Sequence, residues 1–260
     1  MSGDRSDPLL EVTDISMDFG GVRALQRVTF RVCRAEVFSI IGPNGAGKTS
    51  MLNVISGVYR PTGGRIRFEG RDRTRLGPQA LAGLGIARTF QHVALFPGMS
   101  VLDNILVGRH LGMRCGVLAA GLRLRRWRRE EAAHRAAVER IVELLEIRDL
   151  VDRAVDRLAY GLRKRVELAR ALATEAKLLL LDEPMAGMNA EEKVEMVRFV
   201  RQANRTLGTT VILIEHDMGV VMDISQRVLV LDHGERIAEG PPEEIRRDPA
   251  VIRAYLGEGD

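Results

Sequence analysis

The chain has 260 residues, of which 45% are hydrophobic and 28% charged, so it is long enough for one large domain or a domain with an added lobe. Its 39 basic and 35 acidic residues leave a formal net charge of +4, too small to argue by itself for nucleic-acid binding. Cys33 and Cys115 stand without a Cys-x-x-Cys pair or a histidine cluster, which favours a reducing compartment and argues against a structural zinc site.

The N-terminal residues and the apolar runs predict neither a signal peptide nor a membrane span. Residues 1–8 include Asp4 and Asp7 and lack an apolar core segment. The longest apolar runs, such as Leu178–Leu181, fall far short of the ~18 residues that a membrane helix needs. A location at a membrane would therefore require another chain to hold this one there.

Short strands and turns are predicted for the first part of the chain. Alternating apolar and polar residues predict half-buried strands at Val28–Val32 and Gly64–Gly70, which we expect to form an antiparallel layer. The segment Val37–Ile41, apolar except for Ser39, predicts a buried strand between them. A short helix at Gly77–Leu84 and a strand at Ile86–Phe90 follow.

The residues Gly42–Thr49 fit the pattern Gly-x-x-x-x-Gly-Lys-Ser/Thr of a phosphate-binding loop. The glycines let the backbone wrap around a polyphosphate, Lys48 adds positive charge, and the Thr49 hydroxyl can bind Mg²⁺. A predicted strand precedes the loop and a predicted helix, Ser50–Ser56, follows it, which a chance glycine-rich turn would lack. We therefore predict a nucleoside triphosphate site formed by Gly42, Pro43, Asn44, Gly45, Ala46, Gly47, Lys48, Thr49 and Ser50.

The middle of the chain has helical spacing. Apolar residues recur at helical intervals in Val101–Leu111, Glu130–Ile147 and Gly161–Ala173. We therefore predict a mainly helical subdomain at residues 91–172, inserted in an α/β core formed by residues 1–90 and 173–260.

Five arginines surround the single tryptophan, Trp127. They could contact anionic lipid or an acidic partner, or form the solvated face of a loop or helix, and the pattern alone favours the solvated face. Aromatic residues, 4% of the chain, are too few and scattered to stack on the bases of a single strand, so we predict no nucleic-acid partner. The arginines are Arg123, Arg125, Arg126, Arg128 and Arg129.

An α/β pattern returns after residue 173. The predicted elements are a strand at Leu178–Leu181, a helix at Ala190–Leu207 that Gly208 ends, a strand at Thr210–Ile214, a short helix near Met218 and a hairpin at Val228–Glu239. Asp182 and Glu183 follow the first strand, at the end where ligands bind in open α/β sheets. In P-loop enzymes such an acidic residue holds Mg²⁺, so we predict that Asp182 does so and that Glu183 polarises the attacking water.

Two further polar residues stand at the ends of predicted core strands. His216 follows the strand Thr210–Ile214; a single histidine is more often structural, but this position favours a catalytic role. Gln91 closes the strand Ile86–Phe90 and could reach the metal or the attacking water. A third feature is Gly161, which stands at the start of a predicted helix whose free N–H groups form an anion site.

The order of these features resembles that of the ATP-binding subunits of ABC transporters over nearly the whole chain. The shared features are the phosphate loop, Gln91, the helix start at Gly161, the Leu-Asp-Glu-Pro segment at 181–184 and His216. The chain looks most like the subgroup that imports branched-chain amino acids. The segments that carry this narrower resemblance are Arg88–His92, Leu158–Gly161, Ala186–Asn189, Ile214–Met218 and Val251–Gly257.

The resemblance implies an α/β fold, namely a P-loop NTPase with an ABC-type RecA-like core, an antiparallel β layer and a helical lobe. It implies a head-to-tail pair of ATPase subunits, in which each ATP lies between one chain's phosphate loop and the other chain's Ala159, Tyr160 and Gly161. Phe19 would stack on adenine, and a core phenylalanine is the alternative interpretation.

The resemblance also implies the site roles. Gln91 would join Thr49 and Asp182 at Mg²⁺. Gln91 would lie in the loop that couples the nucleotide to the membrane partner. It would also take part in catalysis, together with Glu183 and His216.

The function that the resemblance implies is ATP hydrolysis that energises an importer of branched-chain or related amino acids. The partners would be transmembrane permease subunits, a separate substrate-binding protein and a second ATPase subunit, either a different chain or a second copy. The chain would then lie at the cytoplasmic face of the membrane. Urea, amides or aromatic acids are alternative substrates. Two other classes of protein are alternatives to a transporter subunit. A soluble ABC ATPase usually has two cassettes or long coiled coils, and this chain has neither. A P-loop kinase lacks the signature helix, which is the helix that begins at Gly161 here.

The signature segment departs from the common family pattern Leu-Ser-Gly-Gly-Gln. Ala159 replaces the serine, as often in the subgroup, and Leu162 replaces the glutamine. Asn189 replaces the aspartate that is common after the Leu-Asp-Glu-Pro segment, again as in the subgroup. We therefore expect a complete ATP face and a weakened signature face in this chain.

Overall fold

The structure is a computed structural model that describes residues 8–89, 94–109 and 125–256, without the side chains of 125–130 and 256. The elements are β1 (Pro8–Phe19), β2 (Val22–Cys33), β3 (Val37–Ile41), α1 (Lys48–Ile55), β4 (Gly63–Phe68), β5 (Arg71–Asp72), α2 (Pro78–Gly83), β6 (Ile86–Arg88), α3 (Val101–Gly108), α4 (Arg125–Leu144), α5 (Tyr160–Ala173), β7 (Leu178–Asp182), α6 (Ala190–Leu207), β8 (Thr210–Ile214), α7 (Met218–Ile224), β9 (Arg227–Asp232), β10 (Glu235–Gly240), α8 (Pro242–Ile245) and α9 (Pro249–Leu256).

A six-stranded sheet forms the centre, in the order β10-β9-β3-β8-β7-β6. Its strands are parallel except for β10, which pairs antiparallel with β9. Every residue of β3, β7 and β8 is buried, as expected for parallel strands that are covered on both faces. The predicted strands at Val37–Ile41, Leu178–Leu181 and Thr210–Ile214 and the predicted hairpin are therefore confirmed. The predicted strand Ile86–Phe90 ends at Arg88 in β6, and Phe90 lies outside the described residues.

A second, antiparallel sheet has the order β2-β1-β4-β5 and confirms the predicted β layer. It shares one apolar core with α1 and with one face of the central sheet, to which β7 contributes Leu178 and Leu180. The other face of β7, Leu179 and Leu181, packs in the core of the helices α3 to α6. The alternation of side chains along β7 therefore divides the protein into a β layer and a helical layer.

The helices begin and end where their cap residues allow. Ser100 accepts a hydrogen bond from the backbone N–H of Asp103 at the start of α3. Asn189 and Glu192 form a capping box at the start of α6, and Gly208 ends that helix with a φ of 67°. Glu146, with a φ of 53°, takes the left-handed conformation beyond the end of α4, so that helix stops earlier than predicted.

Two predicted features are only partly covered by the described residues. The helical residues 101–108 and 125–144 share a core with the sheet, but the division of the chain at 91 and 172 stays a prediction. Arg123 lies outside the described residues, and the side chains of 125–129 are not described, so the role of the arginine run also stays open. Within the described ranges, no helix is long and apolar enough to cross a bilayer.

Candidate functional site

The predicted phosphate loop joins β3 to α1 at the carboxyl end of the central sheet. Gly42, with a φ of 147°, lies so close to Leu231 that a side chain there would overlap the carbonyl oxygen. At Gly47 (φ 97°), an added Cβ would lie 2.5 Å from the carbonyl oxygen of Ala24. The loop is therefore glycine-rich because neighbouring backbone approaches it closely, in addition to any need to wrap around a phosphate.

The side chain of Lys48 folds back over the loop. Its ammonium donates hydrogen bonds to the carbonyl oxygens of Gly42 at 2.6 Å and Pro43 at 2.7 Å. Asn44, Gly45 and Thr49 are exposed, Gly47, Lys48 and Ser50 are half-buried, and Ala46 and Pro43 are buried. A single turn of backbone thus holds a cation and the exposed Thr49 hydroxyl next to the N-terminus of α1.

Asp182 ends β7 and is almost fully buried. Its Oδ2 lies 2.9 Å from Nη2 of Arg88, which is the last residue of the neighbouring strand β6. The guanidinium also donates from Nη1 to the side chains of Asn53 at 2.6 Å and Ser56 at 3.3 Å, on α1 and at its C-terminal end. The sequence interpretation missed Arg88, although a charged residue at the end of a core strand was an available signal.

The carboxylate of Asp182 and the hydroxyl of Thr49 are hard oxygen donors, the kind of ligand that Mg²⁺ prefers. Thr49 is exposed at the start of α1, which follows β3. Asp182 stands at the carboxyl end of β7, a parallel strand of the sheet that contains β3. This donor set fits the predicted metal. Gln91, the third predicted ligand, lies outside the described residues.

Glu183 has a left-handed backbone, with a φ of 47°. Its N–H donates to the carbonyl oxygen of Ile214 at 2.9 Å, and its own carbonyl oxygen accepts from the N–H of Ala186 at 3.1 Å. A non-glycine residue in this conformation costs on the order of 1–3 kcal/mol, and such residues cluster at functional sites. The exposed His216 places Nδ1 3.9 Å from Oε2 of Glu183, so the structure brings these two predicted residues together.

Glu215 is a second residue that the sequence interpretation missed as a functional candidate. It is 1% exposed, and its Oε1 accepts a hydrogen bond from the backbone N–H of Met185 at 3.0 Å. Oε2 lies 4.0 Å from Nδ1 of His216. Burial raises the pKa of Glu215, against smaller opposing effects of the Met185 N–H and of His216. A buried carboxyl group therefore ties the loop after Glu183 to the segment that carries His216.

We expect Glu215→Gln to stabilise the protein at alkaline pH relative to the natural chain. Because the pKa is raised on folding, the unfolded chain loses its proton first, and stability is lost as the pH rises from about 4.3, the ordinary glutamate value, through the raised value. Glutamine cannot ionise and keeps an acceptor for the Met185 N–H. In thermal unfolding, the melting temperature of Glu215→Gln should exceed that of the natural chain at pH 8, and the difference should shrink towards pH 4.5. Each kcal/mol gained in the free energy of unfolding should raise the melting temperature by about 2–4 °C.

The control for this experiment is Glu215→Ala, which removes the acceptor as well as the charge. It should destabilise the chain at every pH, because the Met185 N–H is then buried without a partner. A Glu215→Gln melting point that differs from the natural one by the same amount at pH 4.5 and pH 8 would contradict the expectation.

The signature segment begins α5, with Ala159 at its N-cap position. The ring of Tyr160 lies over Gly187, where an added Cβ would be 3.1 Å from it, and Tyr160 is still 44% exposed. At Gly161 an added side chain would overlap the carboxylate of Glu192. Leu162 is half-buried against the helical core, which gives it a packing role in place of a polar one.

Phe19 ends β1 beside the turn at Gly20 and Gly21. It is 41% exposed, which disfavours the core interpretation. Its ring meets that of Tyr59 edge-on, with 5.1 Å between centroids. Stacking on adenine stays a prediction.

Comparisons with known proteins come from sequence and from structure. The family profile described as "ABC transporter" matches residues 25–186, and the profile described as "Branched-chain amino acid ATP-binding cassette transporter" matches residues 235–260. The high-affinity branched-chain amino acid transport ATP-binding protein LivG of Salmonella typhimurium is 43% identical, over 97% of this chain and 99% of the relative. The corresponding BraF of Pseudomonas aeruginosa is 40% identical over 97% and 99%.

A solved structure has the same fold. The ADP conformation of an ATP-binding cassette of an ABC transporter superposes with a TM-score of 0.82 at 31% identity, over 97% of this chain and all of the other.

Proposed function

The chain belongs to the ATP-binding proteins of ABC transporters, and from that premise we propose that it hydrolyses ATP to energise the import of branched-chain amino acids. The observation that carries this proposal is that the phosphate loop, Asp182, Glu183 and His216 all stand at the carboxyl ends of the neighbouring parallel strands β3, β7 and β8, with His216 3.9 Å from Glu183. The names of the relatives favour branched-chain amino acids over urea, amides or aromatic acids as the substrate, and transport over a soluble role.

The phosphates of ATP bind along Gly42–Ser50 in this proposal. Lys48 exchanges its two carbonyl partners for phosphate oxygens, which are better acceptors because they are charged. Thr49 and Asp182, with Gln91, would hold Mg²⁺, which would offset the negative charge of the phosphates. Phe19, exposed at the end of β1, stacks on the adenine.

Hydrolysis needs a water aligned with the terminal phosphate. Glu183 orients and polarises that water, and the hydrogen bond from its N–H to the carbonyl oxygen of Ile214 holds its left-handed backbone in place. His216, 3.9 Å from Glu183, supports the same water or the phosphate. The buried Glu215 holds the loop that follows Glu183 through the Met185 N–H.

A second ATPase chain completes each site. The exposed Ala159 and Tyr160, at the start of α5, face the partner's ATP in this proposal, and the buried Gly161 beside Glu192 contributes its backbone N–H. The signature face lacks the serine hydroxyl and the glutamine, whereas the chain's own ATP face is complete. A pair of two different chains therefore suits this sequence better than a pair of identical ones.

The permease docks in an apolar groove of about 380 Å³ between α2, β6, α3 and α5. Three apolar side chains are exposed there, namely Val58, Phe96 and Val107, and they offer an apolar docking segment a surface to pack against. Docking at this groove holds the chain at the cytoplasmic face of the membrane. A separate substrate-binding protein acts on the other side of the membrane.

The proposal is tested by assembly and transport. The chain, co-expressed with candidate permease subunits and a second ATPase chain, should co-purify with them. In proteoliposomes its ATPase should be stimulated when a binding protein is loaded with leucine, isoleucine or valine. A Val107→Glu variant should lose co-purification while its isolated fold is retained. Stimulation by urea or an aromatic acid, with none by aliphatic amino acids, would contradict the substrate class.

A further inference from the structure

Arg88 joins three elements through one planar group. Its guanidinium holds the carboxylate of Asp182 on β7 and the side chains of Asn53 and Ser56, with distances of 2.9, 2.6 and 3.3 Å. The side chains of Arg88 and Asp182 are only 12% and 5% exposed, so little water competes for these bonds. A guanidinium fork fixes the orientation of such partners in a way that a lysine ammonium does not.

The same residue lines the apolar groove described above. Arg88 stands there with Ser56, Thr89 and Phe96. It belongs to β6, the edge strand of the central sheet, which pairs only with β7 in the described structure. One side chain therefore separates the groove from the carboxylate of Asp182.

We propose that Arg88 is a positioning residue that transmits docking in this groove to the carboxylate of Asp182. Because Arg88 holds Oδ2 at 2.9 Å, a displacement of the guanidinium changes the orientation of the carboxylate that we propose as a ligand of Mg²⁺. A segment that docks in the groove presses on the edge strand β6, which moves the guanidinium and with it Asp182. The inference rests on the proposed function, since it takes the groove as the permease surface.

The first test measures Mg²⁺ dependence in the full chain without turnover. Binding of a fluorescent, non-hydrolysable ATP analogue is titrated with Mg²⁺ for the natural chain, Arg88→Lys and Arg227→Lys. Mg²⁺ should raise the affinity for the analogue, and we expect Arg88→Lys to need about 10–100-fold more Mg²⁺ to reach half of that increase. Losses of this size follow when residues that hydrogen-bond to metal ligands are removed. Its affinity for the analogue in EDTA should be unchanged.

Arg227→Lys is the matched control. Arg227 is a partly buried arginine that contacts Glu36 and Glu239, away from Asp182, so its loss costs stability without touching the site. If Arg88→Lys does not fold, the double variant Asn53→Ala/Ser56→Ala replaces it. This variant removes two acceptors of the guanidinium but keeps its charge, and the same Mg²⁺ titration then tests the inference. An unchanged Mg²⁺ requirement, or an equal change in Arg227→Lys, overturns the inference.

The second test separates this inference from the proposed function. In the assembled transporter, compared at equal permease occupancy, Arg88→Lys should lose most of the stimulation of ATPase that the permease gives the natural chain, even at saturating Mg²⁺. Full stimulation of Arg88→Lys would overturn the transmitting role of Arg88. A natural chain that neither binds nor responds to any permease would instead refute the proposed function.

Discussion

Glu183→Gln is expected to lower the ATPase rate by about 10²–10⁴-fold, the usual contribution of a positioned acid or base. The amide keeps the size of the side chain but cannot accept a proton from the attacking water. ATP binding should persist, because Lys48, Thr49 and Asp182 remain in place. Phosphate release and equilibrium binding of ATP, measured on the same preparation, check both parts of this expectation.

Glu191→Gln is the control for this change, since Glu191 is an exposed carboxylate in the first turn of α6. It should leave the ATPase rate unaltered. A Glu183→Gln chain that hydrolyses ATP at a near-natural rate would remove Glu183 from its proposed role.

The same substitution tests the proposed pairing of two different chains. Changing Glu183 in the assembled transporter should lower ATPase activity more than changing the equivalent glutamate of the second chain. This follows because the site with Lys48 uses the partner's signature, whereas the partner's site uses the weakened one that contains Ala159 and Leu162. Equal losses, together with an equally fast homodimer, would contradict the pairing.

Lys48→Ala is expected to weaken ATP binding by about ten- to over a hundredfold, since a hydrogen bond to a charged group contributes about 1.5–3 kcal/mol. In the structure the ammonium is held against the carbonyl oxygens of Gly42 and Pro43, so it is already near the phosphate path. Calorimetric titration with ATP at low salt measures the change.

Lys177→Ala is the control, because Lys177 pairs with Glu69 on the surface. It should bind ATP as the natural chain does. An unchanged affinity in Lys48→Ala would contradict the assignment of Gly42–Thr49 as a phosphate loop.

The strands and helices were predictable because each is encoded by a local pattern. The period-two alternation of the antiparallel strands, the mainly apolar runs of β3, β7 and β8, and the cap at Gly208 all lie within a few residues of the element that they define. The candidate site was predictable for the same reason. The phosphate loop is one continuous segment, and Asp182, Glu183 and His216 each follow a core strand.

The contacts that organise the site were not predictable in this way. Arg88 and Asp182 are 94 residues apart, and they meet because β6 pairs with β7 in a particular register. Glu215 reaches the Met185 N–H because β8 lies beside β7. The packing of Tyr160 against Gly187 and of Gly161 against Glu192 likewise brings together the starts of two helices that are distant along the chain.

The sequence by itself therefore determined the fold class and the transporter family, and it predicted the nucleotide loop and the carboxylates, because all of these depend on residue type and short spacing. Only the tertiary structure decided which groups hold Asp182 and Glu183 in place, that Leu162 packs against the helical core, and that an apolar groove lies one side chain from Asp182. Strand order and register set these contacts, and a local pattern of residues predicts neither of them.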